Sequence, residues 1–267
     1  MLIITVLAIT KAKHLRFPTP VSSGCLVRGG AFDVPLDPGQ ASIAATIAGV
    51  ATRRSMPERA VTIAYAAALQ ESDLSNLSYG DRDSVGVFQQ RPSEGWGTRR
   101  QLLDPVYASG KFFVALAAVP HYRRLHVYQA AQAVQHSADG SAYAQYAPQG
   151  AAMAGGFSGH LPHGVWCWYG GRFSGKSRLR AAAAELRRTF GPLRLARTAD
   201  PGVQVRARGT AAGWAVAGWL VTNASKYRLK RVTYQGYLWT AAHGRKGWRT
   251  ARPSARTAAV SMGVAFG

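Results

Sequence analysis

In a chain with 33 lysines and arginines but only 12 aspartates and glutamates, four acids fall in one short stretch, ALQESDLSNLSYGDRDSVGVFQQRP from Ala68 to Pro92. They are Glu71, at the end of an alanine-rich apolar run, then Asp73, and Asp81 and Asp83 in a glycine-punctuated segment. A carboxyl group at a helix end, with apolar residues behind it and a polar cleft in front, is partly desolvated, and desolvation favours the protonated form. Such a group can hand its proton to the leaving oxygen of a glycosidic bond, while a second carboxylate or the substrate itself stabilises the oxocarbenium-like centre. Asp81 and Asp83 lie on a segment that can fold back over the helix end. Gln89 and Gln90 offer hydrogen bonds to sugar hydroxyls or amides, and Tyr79, Phe88 and Trp96 offer faces to sugar rings. The same residues also suit a plain helix terminus followed by turns, since aspartate in a glycine-rich loop readily makes turns.

The elements that must position these groups read as follows. Asp37 and Pro38 form an N-cap and a first-turn proline, and QASIAATIAGVATRR carries Ile43, Ile47 and Val50 at helical spacing, which predicts a buried helix. A second helix, MPERAVTIAYAAALQES, places Val61, Tyr65, Ala68 and Leu69 on a stripe that leads to Glu71. Residues 76–97 are turn formers. Asp104 and Pro105 open a helix over VYASGKFFVALAAV, another covers VYQAAQAVQHS, and a last one covers AYAQYA. This first unit reads as nearly all helical. The glycine- and aromatic-rich run from Gly155 to Gly175 reads as a connector. Beyond it, KSRLRAAAAELRRTFG is an amphipathic helix, GWAVAGWLVTNASKY a second helix, and RVTYQGYLWTA two strands around a Gln235-Gly236 turn, with AAVSMGVAFG as a closing strand. The fold class is therefore α+β: a mainly helical domain followed by a small α+β one.

At 267 residues with 47% apolar content, the chain is long enough for two units with real cores. Its net charge of +21 favours polyanionic surroundings, yet the arginines are scattered and no nucleic-acid-binding signature accompanies them. Cys25 and Cys167 belong to no CxxC or Cys/His metal pattern. They are a disulfide if the chain is exported and two buried thiols if it is cytosolic. The apolar start MLIITVLAIT, followed by KAKHLR, reads either as a clipped export signal or membrane anchor or as a simple apolar segment.

LQES followed by GDRDSVGVFQQ resembles the pattern of soluble lytic transglycosylases and goose-type lysozymes, in which a Glu-Ser pair ends a core helix and a Gly-apolar-apolar-Gln segment lines the sugar groove. YGDR is similar to the Gly-Asp-Arg loop of goose-type lysozymes, with a shorter spacing to the glutamate. The resemblance covers Ala66 to Gln90. It implies Glu71 as the catalytic acid/base, Asp81 as a loop carboxylate with a catalytic role, Ser72 as the motif serine and Gln89 as the groove glutamine. Tyr79, Asp83, Gln90 and Tyr143 join them as substrate-binding residues. The family's Ala-Tyr-Asn motif is present only in part: Ala142 and Tyr143 are supplied, but alanine stands where asparagine would. Residues 37–147 also resemble a lysozyme-like domain of actinobacterial envelope proteins, in which one cysteine precedes the first helix and another follows the last, an arrangement that implies a Cys25–Cys167 disulfide.

The expected organisation is thus an N-terminal segment and linker over 1–24, a lysozyme-like glycosidase domain over 25–170, and a small α+β module over 171–267. That module is similar to zinc D,D-carboxypeptidases, but AAVSMGV stands where their His-x-His pair would fall and His243 is the one histidine after His163, which reads as metal-free and non-catalytic. His160 and His163 in GHLPH read as surface loop histidines. No metal or other cofactor is expected. The resemblance implies cleavage of peptidoglycan between N-acetylmuramic acid and N-acetylglucosamine by an exported, envelope-associated enzyme. Its partners would be peptidoglycan and anionic wall polymers, with a possible membrane tether at the N-terminus and no specific nucleic acid. The rival readings are a non-catalytic wall-binding protein that keeps the fold, and a basic nucleic-acid binder.

Overall fold

The computed structural model describes residues 22–136, 140–171, 173–198, 202–251 and 259–263, and its architecture is α+β with two antiparallel sheets. The apolar segment expected to act as a signal or anchor lies outside the described residues. In chain order the elements begin with β1 (Gly24–Val27), β2 (Val34–Leu36), α1 (Pro38–Arg53) and α2 (Glu58–Ser72). The short α3 (Arg99–Leu102) is followed by α4 (Pro105–Ala118), α5 (Val127–Gln135), α6 (Ala147–Phe157) and β3 (Val165–Trp168). Then come α7 (Leu179–Phe190), β4 (Arg194–Arg197), β5 (Gly202–Arg206), α8 (Thr210–Thr222) and α9 (Ala224–Tyr227). Strands β6 (Arg231–Tyr234), β7 (Tyr237–Thr240), β8 (Arg249–Thr250) and β9 (Val260–Gly263) end the described chain.

Helix α2 is the centre of the first half. Every residue from Ala60 to Leu69 is buried, because alanines let α1, α4, α5 and α6 all approach it. The approach of α6 is the tightest: a Cβ on Gly150 would sit 2.9 Å from the Thr62 carbonyl oxygen, so only glycine fits. Buried Tyr65 donates its hydroxyl to the Ala44 carbonyl at 2.8 Å, which fixes α2 against α1. The start of α1 is tied to the end of α2 as well. Gln40 accepts from the Asp37 N–H at 2.9 Å, and its amide donates to both the carbonyl and the carboxylate of Asp73, each at 3.0 Å.

Helix α6 is a correction to the sequence reading, which puts the last helix of this half over AYAQYA and starts a connector at Gly155. Those residues instead form a 3-10 stretch from Gly140 to Tyr146, and α6 begins only at Ala147. The near-all-helical expectation for this half also falls short. Strands β2, β1 and β3 form a three-stranded sheet in that order, pairing the run before α1 with the run read as a connector. Three or four residues are too few to display an alternating pattern, and the β1–β3 pairing joins segments far apart in sequence. In this sheet Cys25 faces Cys167 across the β1–β3 pair, and the two form a disulfide that bridges 142 positions.

The second sheet has the order β4-β5-β9-β6-β7-β8. Strands β6 and β7 flank the expected Gln235-Gly236 turn, with Tyr234 opposite Tyr237. The expected closing strand is β9, and it lies in the middle of the sheet, between β5 and β6. Helix α8 is apolar all round and buried from Gly213 to Thr222, as expected of a helix enclosed on every side. It fills the space between α1, β3 and the larger sheet. Fully burying Val216, Leu220 or Val221 is worth about 1.5–3 kcal/mol each.

Polar contacts stitch the same seam. Ser42 donates to Asn223 Oδ1 at 2.9 Å, Tyr169 donates to the Val221 carbonyl at 2.7 Å, and Trp239 Nε1 donates to the Cys167 carbonyl at 2.9 Å. Residues on both sides of position 170 therefore contribute to one continuous core. Among the described residues no helix is long and apolar enough to cross a membrane.

The disulfide closes a long loop, so its removal should loosen the chain chiefly through the unfolded state. The double variant Cys25→Ser/Cys167→Ser is expected to lose about 2–5 kcal/mol of stability in a urea titration. Non-reducing mass analysis of the unaltered protein should find the two cysteines joined.

Candidate active site

Helix α2 ends because Asp73 turns into the left-handed region at φ 50°, its N–H still bonded to the Leu69 carbonyl at 3.0 Å. This ending leaves Glu71 in the final turn, half-buried at the wall of a cleft of about 380 Å³. Glu71 Oε1 accepts the hydroxyl of Tyr143 at 2.6 Å. Tyr143 is itself buried, which keeps this donor in place. No ion pair or further hydrogen bond to the Glu71 carboxylate is present among the described residues.

The segment after α2 folds back over the helix end, as the sequence suggests. Gly86 makes the return possible: its φ of +81° disfavours a side chain, and a Cβ there would lie 2.4 Å from the Leu102 carbonyl oxygen. A bridge between Val85 and Gln90 and a hydrogen bond from the Gly86 N–H to the Leu77 carbonyl at 2.7 Å hold the fold-back. Phe88, stacked on Phe112 with ring centroids 4.5 Å apart, anchors it to α4. Gln135, at the end of α5, donates to the Phe88 carbonyl at 2.7 Å and completes the floor.

Of the residues singled out from the sequence, Glu71, Asp81, Gln89, Gln90 and Tyr143 line this one cleft, together with Phe88 and Trp96. They occupy it differently. Asp81 stands at the rim with its side chain 91% exposed and 4.0 Å from Arg82. Gln89 turns its amide toward the loop and donates to the carbonyls of Gly86 at 3.1 Å and Tyr79 at 3.3 Å. Gln90 is 3% exposed; its Nε2 reaches the Ala108 carbonyl at 3.4 Å and its Oε1 has no protein partner.

Three others are not part of the lining. Ser72 is buried and staples the helix to the fold-back, donating to the carbonyls of Val87 at 2.7 Å and Ala68 at 3.1 Å. Tyr79 is 71% exposed, outside the cleft. Asp83 clamps the loop: it accepts from the Ser93 N–H at 2.7 Å, the Ser93 hydroxyl at 2.9 Å and Arg91 Nε at 3.0 Å. The Ser93 backbone bond, helped by Arg91 and the Ser93 hydroxyl, holds the Asp83 carboxyl down at about 2.

Several lining residues carry no sequence signal that links them to Glu71. Arg91, Glu94, Gln135 and His136 reach the cleft only through the tertiary arrangement of the fold-back and the end of α5, whereas Gln70 enters it as the neighbour of Glu71 on α2. Arg91 and Glu94, three positions apart, form an ion pair in the lining. The two loop histidines behave differently from each other. His160 pairs with Glu58 at the surface, whereas His163 packs against Tyr237 and Trp214, with ring centroids 4.6 and 5.6 Å away, and burial there lowers its pKa. Among the described residues no group of three or more His, Cys, Asp or Glu comes together to hold a metal.

No protein-family model matches the chain, and no curated protein matches it.

The Asp83 clamp has a pH signature. Its carboxyl titrates at about 2 in the folded state, below the ordinary 3.8, so its stabilisation is present in full above the ordinary value and is lost as pH falls toward the folded one. In urea titrations across about pH 5 to 2, the unaltered protein should lose stability that Asp83→Asn, already lacking the charge, does not lose.

Proposed function

We propose that the chain is a lysozyme-like glycosidase that cleaves peptidoglycan glycan strands between N-acetylmuramic acid and N-acetylglucosamine, with Glu71 as general acid and then general base. The observation that carries this reading is the Glu71 carboxylate, held at a cleft wall by the buried Tyr143 hydroxyl at 2.6 Å and taken by no ion pair among the described residues. Tyr143 binds Oε1, and the other oxygen is left to work on the substrate. The resemblance of LQES and GDRDSVGVFQQ to lytic transglycosylases and goose-type lysozymes supplies the substrate class.

A single-carboxylate route suits this cleft best. Protonated Glu71 gives its proton to the glycosidic oxygen as the bond from that oxygen to muramyl C1 breaks. The substrate's N-acetyl group stabilises the cationic C1. The resulting Glu71 carboxylate then takes the proton of the muramyl C6 hydroxyl, whose oxygen bonds to C1 to give a 1,6-anhydro end without consuming water. What supports this over a two-carboxylate hydrolysis is the state of the other acids: Asp83 is committed to three hydrogen bonds, Glu94 to Arg91, and Asp81 stands exposed at the rim. Export to the cell envelope belongs to the same proposal, and the disulfide fits an oxidising compartment.

The test is release of soluble muropeptides from purified sacculi. Glu71→Gln should lower the rate by about 10²–10⁴-fold, the range of general acid–base catalysis, with folding unchanged. Tyr143→Phe should cost about tenfold in turnover, in line with the loss of one positioning hydrogen bond to a charged group. Mass analysis should find anhydro-muramyl ends; reducing ends would overturn the single-carboxylate route, and undiminished release by Glu71→Gln would overturn the enzyme.

A further inference from the structure

One stripe of α4 is left uncovered. Tyr107, Gly110, Lys111 and Val114 recur at helical spacing on the face away from buried Ala108, Phe112 and Leu116, and Val114 is 50% exposed. Together with Val106 they floor a groove of about 400 Å³, whose rim is set by Arg53 and Arg54 at the end of α1 and by Arg188 near the end of α7. Four cations thus face the groove against one carboxylate, that of Asp104. Asp104 is already paired with Arg188, which also holds Glu185, so Arg53, Arg54 and Lys111 have no acidic partner among the described residues. Arg53 is nevertheless held in place, donating to the Arg188 carbonyl at 2.8 Å.

Gly110 is the telling residue. Glycine inside a helix is destabilising relative to alanine, and the other glycines well inside helices here, at 49, 150, 155, 156, 213 and 218, each have a neighbour within 4 Å of a would-be Cβ. Gly110 has none. Packing within the chain does not ask for it, and its effect is to leave the helix backbone bare at the bottom of a cationic groove.

We propose that this groove is a docking site for an extended acidic peptide, with small apolar side chains lying on Val106, Tyr107 and Val114 and carboxylates meeting Arg53, Arg54 and Lys111. A phosphodiester chain would use the cations but set phosphates against the apolar floor. A peptide that alternates acidic and small residues uses both, and its backbone can come close only where Gly110 lacks a side chain. The site is separate from the Glu71 cleft and does not depend on the reading of that cleft.

The experiment is fluorescence anisotropy on the full chain with a labelled peptide alternating glutamate and alanine, its glutamine counterpart, and a labelled single-stranded oligonucleotide. The glutamate peptide should bind below about 1 mM and weaken with added salt, and the glutamine peptide should not bind. Gly110→Leu, which fills the groove at a position with free space, should weaken binding about tenfold or more without lowering the melting temperature. Should that variant be less stable, the surface pair Arg54→Gln/Lys111→Gln, expected to give a similar loss, decides alone. Binding that ignores these changes, no binding below about 1 mM, or an oligonucleotide that binds more tightly with the same sensitivity to Gly110→Leu would each overturn the proposal.

Discussion

Everything around the cleft depends on a helix whose five alanines let its neighbours come close. Because α2 is buried from Ala60 to Leu69, its axis is gripped by α1, α4, α5 and α6, and its last turn has little freedom. A carboxylate carried on that turn inherits the rigidity of the core without being sealed inside it. The left-handed ending at Asp73 and the hold of Gln40 on that residue then decide where the chain leaves the helix. Rigid support of this kind is what separates a positioned acid from one that merely lies in a groove.

The legible part of the sequence was the part written locally. The Asp37-Pro38 start of α1, the Asp104-Pro105 start of α4 and the β6–β7 hairpin are each set by residues adjacent in the chain, and the structure places them where the pattern does. What escaped was long-range or small. Strands β1 and β3 are four residues each and meet across most of the first half, so neither shows a period of its own. Helix α6 was hidden by its glycines, which the sequence presents as breakers and the fold uses for close packing, Gly150 against α2, Gly155 against Leu161 and Gly156 against Val27 and Arg28.

The site shows the same division. Glu71 and the fold-back over it could be read from one stretch of chain, and Tyr143 from a partial motif far downstream. Residue types alone could not say which polar groups are spent on the scaffold. Ser72, Asp83 and Gln89 look equally suited to sugar binding, yet their hydrogen bonds go to Val87, to Ser93 and Arg91, and to the loop carbonyls. A loop rich in glycine and polar residues must satisfy its own backbone first, and these side chains do it. The arrangement leaves Glu71 to face the cleft with Tyr143 as its one hydrogen-bond donor among the described residues.

The covalent link between β1 and β3 has an effect beyond stiffness. Since Cys25 lies ahead of the first helix and Cys167 beyond α6, a protease that nicked any loop in between would leave the two pieces attached to each other, still paired in the sheet and packed around α2. The cleft would thus be held together after a cut that would scatter an unbridged chain, and only a cut combined with a reductant would release its halves.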